Sequence, residues 1–412
     1  MTARSTSHFA AAIAAAAIAV ATAGCTGVST EPTAAAQSFA KSSTDVSDES
    51  VVGPPASDAL VFVVSAHANV PAPSIPSELA GVLDAAIRAE VPLSIIAVDG
   101  TPSVAWSSGA YEISNDNPGA RKADIDKVQS AVLTKVRGIT ADSDGSDLVQ
   151  GLAIAQDQAA ANGSLHPRIV VIDSGLPDLG ALRMTTPGMT LADPGEVAAA
   201  AASAGSFPEL TGASLTLVGF GYTAAPQAEL SGPQRENVVD IWSAVLSGAG
   251  ASVDVLPVPR SAAGPDISHT TGTVEPAADP ELHLSAPTPA IFGEGSSLGF
   301  QPGLDVFRDK PASDATLDEI AAALEADADR TVHIMGTAAG TDTEQSQKDL
   351  STRRAEAVAR GLIARSIDPS RIETEGVGTQ WPGYVYDVLP DGTLDPATAA
   401  LNRTVQITFP TD

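Results

Sequence analysis

Short continuous apolar runs alternate along this chain with longer stretches in which apolar residues recur every third or fourth position. ALVFVVSA (59–66), PLSIIAVDG (92–100), PRIVVIDSG (167–175), SLTLVGFGY (214–222) and SVDVLPVP (252–259) are Val- and Ile-rich and too short for core helices. Between them lie PSELAGVLDAAIRAE (76–90), DIDKVQSAVLTKVRG (124–138), SDLVQGLAIAQDQAAANG (146–163) and RENVVDIWSAVLSG (235–248). In the first of these helices Leu79, Leu83, Ala86 and Ile87 share a face. Strands apolar on both sides, separated by amphipathic helices, predict an α/β domain over 59–259. Its expected form is a doubly wound, mostly parallel sheet with helices on both faces, and Trp242, beside Val239 and Val245, is expected in the core.

A second block follows a Pro-, Ala- and Thr-rich linker at 260–289. ATLDEIAAALEAD (314–326) carries Leu317, Ile320, Ala321 and Leu324 on one side, and EQSQKDLSTRRAEAVARGLIARS (344–366) places Leu350, Ala357, Val358 and Leu362 inward. TVHIMGTA (331–338), RIETEGVG (371–378) and NRTVQITF (402–409) read as strands, so 290–412 is expected to be a smaller α+β domain.

Ahead of both domains, Arg4 precedes the uncharged FAAAIAAAAIAVATAG (9–24), which has the form of a secretory leader over residues 1–24. The run is short for a bilayer span, which needs about 20 apolar residues. Cys25, the only cysteine among 412 residues, follows Thr22-Ala23-Gly24, and TAGC is similar to the lipobox of bacterial lipoproteins, with Thr22 where Leu is usual. That resemblance implies diacylglyceryl transfer to Cys25 and attachment to membrane lipid, firm when several acyl chains are present. Residues 25–58, rich in Ser, Thr, Ala and Pro, bury too little apolar surface to offset their ordering entropy and read as a tether. The expected location is the cell envelope, outside the cytoplasm.

Charge narrows the partners. The chain has 22 basic and 50 acidic residues, a net charge of −28, and loss of Arg4 with the leader makes it −29. No basic run or basic-aromatic interleaving is present, which argues against nucleic acid. One cysteine excludes an internal disulfide, leaving hydrophobic cores to supply stability.

The pieces LDEIAAAL, VHIMGTAA, DLSTRRAEAV, RIETEGVG and NRTVQI, in that order over about 290–410, resemble the OmpA-like peptidoglycan-binding domain. The resemblance implies non-covalent capture of the wall peptide at diaminopimelate. Arg354 matches the family arginine that grips the ligand carboxylate, a task suited to a planar two-donor fork. Asn402 and Arg403 match the late Asn-Arg pair, and Gln347 stands where Asn is frequent. The family's Gly-His-Thr-Asp is here Gly336-Thr337-Ala338-Ala339, so the acid that receives the ligand ammonium is replaced by Ala339. Losing such a bond removes about 1.5–3 kcal/mol. Asp342, Glu344 and Asp349 are candidates for a substitute. Weak or altered wall binding, a protein-scaffold role, and ordinary binding through a rearranged loop all remain open. A further reading of Arg354 is a solvated helix charge like Arg353.

The amino-terminal block resembles a von Willebrand factor A domain, in which Asp-x-Ser-x-Ser, a Thr and a later Asp hold a metal. Here the corresponding residues are Ser65-Ala66-His67-Ala68-Asn69, Ser146 and Asp173. One carboxylate among them is a poor cage for Mg²⁺, which wants near-octahedral oxygen ligands. Asp173 is then expected to cap a loop or to line a groove at the strand carboxyl ends, with Ser65, His67 and Ser146, where open α/β sheets bind ligands.

Catalytic motifs are sparse. The His residues at 8, 67, 166, 269, 283 and 333 form no HExxH, and neither a Gly-x-Ser-x-Gly elbow nor a Gly-x4-Gly-Lys-Ser/Thr phosphate loop occurs. GEGSSLG (293–299) is Gly-rich but lacks the lysine. Asp99 and Asp173 both end expected strands, which sustains an alternative of an extracytoplasmic hydrolase working in a groove of 59–259. The primary expectation is a non-enzymatic, lipid-anchored envelope binding or scaffold protein without a cofactor, its partner being peptidoglycan or another envelope protein.

Overall fold

The computed structural model describes residues 57–258, 264, 269–340 and 343–410. The expected leader, Cys25, the tether up to residue 56, and Asp342 lie outside the described residues.

The amino-terminal domain is a six-stranded sheet of β1 (Ala59–Ser65), β2 (Leu93–Val98), β3 (Ser103–Ser107), β4 (Pro167–Ile172), β5 (Ser214–Val218) and β6 (Ser252–Leu256). Its order is β3-β2-β1-β4-β5-β6, parallel except for the antiparallel β2–β3 pair. The alternate side chains of β1 feed two separate cores. Val61 and Val63 pack with α3 (Leu148–Ala161), α4 (Pro194–Ala204) and α5 (Gly232–Gly248), whereas Leu60, Phe62 and Val64 face α1 (Ala80–Arg88) and α2 (Pro118–Arg137). Central strands covered on both faces have no polar side, which is why β1 and β4 lack alternation. The expectation of two buried faces fails at β6, an edge strand whose Ser252, Asp254 and Val255 are exposed. Trp242 is fully buried, donates to Gly175 O at 2.9 Å, and meets Phe207 and Phe220 edge-on.

The carboxyl-terminal domain has β7 (Ala290–Phe292), α6 (Lys310–Glu325), β8 (Val332–Gly336), α7 (Glu344–Ile363), β9 (Ile372–Gly376), α8 (Pro396–Asn402) and β10 (Val405–Thr408). Its sheet runs β7-β10-β8-β9, with β8 and β9 parallel and β10 antiparallel to both β7 and β8. Leu317, Ile320 and Leu324 of α6 and Val358 and Leu362 of α7 close one core over it.

Four elements were not expected: β3, α4, β7 and α8. The two helices nevertheless carry a start signal. Asp193-Pro194 and Asp395-Pro396 each put a capping carboxylate before a proline whose missing N–H costs nothing in the first turn. Asp193 accepts from Glu196 N, and Asp395 from Ala397 N. Neither helix has a strong apolar stripe, because each is rich in Ala; α4 packs chiefly on α5 through Val197 and touches α8.

The stretch 269–279, read from composition as part of a linker, lies along the amino-terminal domain. Gln227 donates to Val274 O at 2.8 Å and accepts from its N–H at 2.7 Å. Gln234 donates to Glu275 O at 3.1 Å and accepts from Ala277 N at 2.9 Å. The described residues form one compact unit.

Candidate functional site

Two places gather polar side chains. The first is the crevice at the carboxyl ends of β1 and β4, where successive strands leave in opposite directions across the sheet. Ser65 ends β1 and donates to Asp173 Oδ2, while His67 Nε2 lies 3.7 Å from the same oxygen. Asp173 also accepts from Gly175 N, so it caps the turn after β4. Burial pushes its pKa up, but hydrogen bonding and charge from His67, with hydrogen bonds from Ser65 and Gly175, outweigh that and hold it below 3.8. His67 Nδ1 contacts Ala68 O. Ser146 N donates to Asp178 Oδ1 at 2.7 Å.

The expected groove is roofed. Gly272 N donates to Asp178 Oδ2 at 2.6 Å, Asn69 Nδ2 donates to Gly272 O at 2.6 Å, and Thr270 N donates to Asp144 Oδ1 at 2.6 Å. Ser65, His67, Ser146 and Asp173 are all within 3% exposure as a result. No group of three or more His, Cys, Asp or Glu able to hold a metal occurs among the described residues. Asp99, the other acid of the hydrolase reading, accepts from Thr101, Asp142 and Ser143 backbone N–H groups at 2.8, 2.8 and 3.0 Å. Its lone pairs are spent on turns rather than aimed at a substrate.

The second place is a pocket of about 30 Å³ in the carboxyl-terminal domain, lined by Ala338, Ala339, Ser346, Gln347, Leu350, Arg354 and Arg403. β8 ends at Gly336 and delivers the two alanines, α7 supplies the next four residues, and Arg403 follows α8. A Cβ on Gly336 would lie 2.1 Å from Ser351 O, so glycine is what allows α7 to approach the strand. Arg354 is buried, donates from Nε to Leu304 O at 3.0 Å and stacks over Phe300 at 5.3 Å. Burial lowers its pKa to about 10, with the nearby Glu294 charge opposing, so it stays cationic at neutral pH. Arg403 donates from Nη2 to Glu196 Oε1, and its Nη1 lies 3.7 Å from Glu294 Oε2. Burial alone would depress the Arg403 pKa; the Glu294 and Glu196 charges more than offset it.

Residues 300–387, which hold all of that pocket except Arg403, match the family model described as the OmpA family. The carboxyl-terminal domain is of the OmpA family. Solved structures similar to part of the chain include the peptidoglycan-associated lipoprotein from Burkholderia pseudomallei, 23% identical, covering 27% of this chain and 86% of that one at a TM-score of 0.24. Another is the cell wall anchor of the T6SS from Pseudomonas aeruginosa, 26% identical over 27% of this chain and 75% of that one, TM-score 0.22. An outer membrane protein from Borrelia burgdorferi is 23% identical over 33% of this chain and 98% of that one, TM-score 0.23. No curated protein matches the chain.

Within the OmpA-family domain the expected site residues part company. Arg354 and Arg403 meet at the pocket, and the solvated-charge reading of Arg354 is wrong because Leu304, Gln301 and Phe300 enclose it. Asn402 is put to another use: its amide donates to Val385 O at 2.6 Å and Asp387 Oδ2 at 2.8 Å and accepts from Val385 N at 3.0 Å. It staples the 385–387 loop. Glu344 is occupied with Gln380, and Asp349 with Gln345. Sequence reasoning missed Glu294 and Glu196. The first sits in GEGSSLG, weighed only as a phosphate loop, and the second in α4, so nothing in sequence spacing linked them to Arg403.

Among the described residues no helix is long and apolar enough to cross a membrane.

Proposed function

We propose that this chain is a non-enzymatic cell-envelope scaffold whose OmpA-family domain touches peptidoglycan in an altered fashion. Acyl chains on Cys25 hold it to the membrane, and the amino-terminal domain, of von Willebrand factor A type, serves as a metal-independent partner-binding module. The observation that carries the wall contact is the pairing of Arg354 and Arg403 in one pocket of a family-matched domain, with Ala339 where the family acid is expected. The metal-independent reading of the amino-terminal domain rests on Asp173, whose oxygens are already taken by Ser65 and Gly175.

The test is co-sedimentation of the full chain, purified in detergent, with peptidoglycan sacculi. Wild type is expected in the pellet and Arg354→Lys, which keeps the charge but loses the two-donor fork, is expected to be depleted from it. Wild type remaining in the supernatant sinks the wall contact. Fatty-acid labelling that is lost in Cys25→Ser tests the anchor.

A further inference from the structure

Resting on the partner-binding reading of the amino-terminal domain and deepening it, we infer that the crevice at its strand carboxyl ends is a groove for an extended peptide. The chain's own residues 269–277 fill it here, and the partner that takes their place is a protein segment of the form Thr-Gly-x-Val. The grip on the segment repeats at every second residue. Thr270 donates its N–H to Asp144 Oδ1 at 2.6 Å, and its carbonyl accepts from Gly145 N at 2.8 Å. Gly272 donates to Asp178 Oδ2 at 2.6 Å and accepts from Asn69 Nδ2 at 2.6 Å. Val274 donates to Gln227 Oε1 at 2.7 Å and accepts from Gln227 Nε2 at 2.8 Å. That period is the one at which an extended chain turns both groups of a residue toward the same side. Gln234 continues the row at Glu275 O and Ala277 N.

Folded chains mostly satisfy backbone with backbone. Here, Gly145 N excepted, these bonds come from side chains that stand on separate loops and on the first turn of α5. Such a row reads a main chain, which every sequence carries, and leaves selectivity to the side chains that turn inward. Residues 269–279 form neither helix nor strand, so the groove, not local structure, sets their extended form. Val274 is buried and joins the core of β1 and β4, and Thr271 is buried as well, whereas Thr273 and Glu275 are exposed. A Cβ at Gly272 would lie 3.1 Å from Asp178 Cβ and 3.2 Å from Thr185 Cγ2, pressing on the acid that holds its N–H. Glycine and a β-branched residue two places on are therefore read, and the residue between them is free. The built-in segment is tethered, which gives it an effective concentration on the order of millimolar against any free peptide.

The experiment is fluorescence anisotropy of a fluorescein-labelled peptide of residues 269–279 with the full chain in detergent. Wild type, its groove filled, is expected to bind weakly. Gly272→Pro in the chain removes the N–H that Asp178 accepts and is expected to tighten peptide binding at least ten-fold. Adding Gln227→Ala is expected to cancel that gain. An unlabelled peptide carrying Thr273→Lys should compete fully, and one carrying Val274→Asp at least ten-fold less well. No gain in Gly272→Pro, a gain that survives Gln227→Ala, or equal competition by the two peptides overturns the inference. Should Gly272→Pro lose its urea transition, Thr270→Pro, which frees Asp144 in the same way, takes its place. Hydrogen exchange of the wild type adds a check that needs no variant: excess peptide should deprotect the chain's own 269–279 and leave β1 and β4 protected, and unchanged protection counts as refutation. Repeating the titration in EDTA separates this inference from the reading beneath it. A gain that EDTA abolishes keeps the groove and removes the metal independence; no gain in either condition removes the groove alone.

Discussion

Gln227→Ala should release the segment that roofs the strand-end crevice. The Gln227 amide is 4% exposed and makes two hydrogen bonds to one residue of the segment, 2.8 Å to Val274 O and 2.7 Å from Val274 N. Each bond contributes about 1 kcal/mol net, and leaving the buried Val274 N–H without an acceptor adds about 1–3 kcal/mol. Some of that returns if water enters the space left by the side chain, so the expected loss is about 2–4 kcal/mol against local opening. At 1.4 kcal/mol per decade this is roughly 30-fold to several hundred-fold faster exchange at Val274. The assay is native-state hydrogen exchange followed by mass spectrometry, read on peptides covering 269–279 and compared with β1 and β4. Exchange should accelerate in the segment and stay unchanged in the central strands. Equal and fast exchange of Val274 in wild type and variant would refute the reasoning, because the segment would then be undocked from the start. Gln234→Ala, which loses its bonds to Glu275 O and Ala277 N, should act in the same direction.

Two further predictions address other contacts. Gly188 precedes the 3-10 turn Met189–Leu191 with φ 86°, and a Cβ there would lie 2.1 Å from Ala397 O of α8. Gly188→Ala should cost about 1–2 kcal/mol from the backbone alone, more from the clash, and expose 396–402 to exchange; an unchanged denaturation midpoint would show that α8 does not dock there. Asp173 has a folded pKa below its unfolded 3.8, so its contribution is present above that pH and is lost as pH falls through the folded value. Asp173→Asn should therefore lower stability at pH 7 and flatten the acid limb of a stability-versus-pH curve measured by urea melts; parallel curves for the two proteins would count against the Ser65–Asp173–His67 contact.

Much of the architecture was legible because its causes are local. The unbroken runs of β1 and β4 report burial on both faces, and the 3–4 spacing of Leu317, Ile320 and Leu324 reports one helix face. Arg354, singled out from its place in RRA, lines the same pocket as Arg403. β3 escaped because an exposed edge strand has no apolar pattern to read, and α4 and α8 because Ala-rich helices present few large apolar side chains at a 3–4 spacing.

What the sequence by itself determined is therefore the set of strands and helices with a core on at least one regular face, and the pair Ala338-Ala339 after the strand that ends at Gly336. The tertiary structure alone decided that Ser65, His67, Ser146 and Asp173 lie beneath residues 269–277, and that Glu196 and Glu294 reach Arg403. The physical reason is range. Periodicity records how a residue meets the nearest layer, whereas these contacts join residues about a hundred or more apart in the chain, and only packing sets which distant charges and backbone groups must satisfy one another once water is excluded.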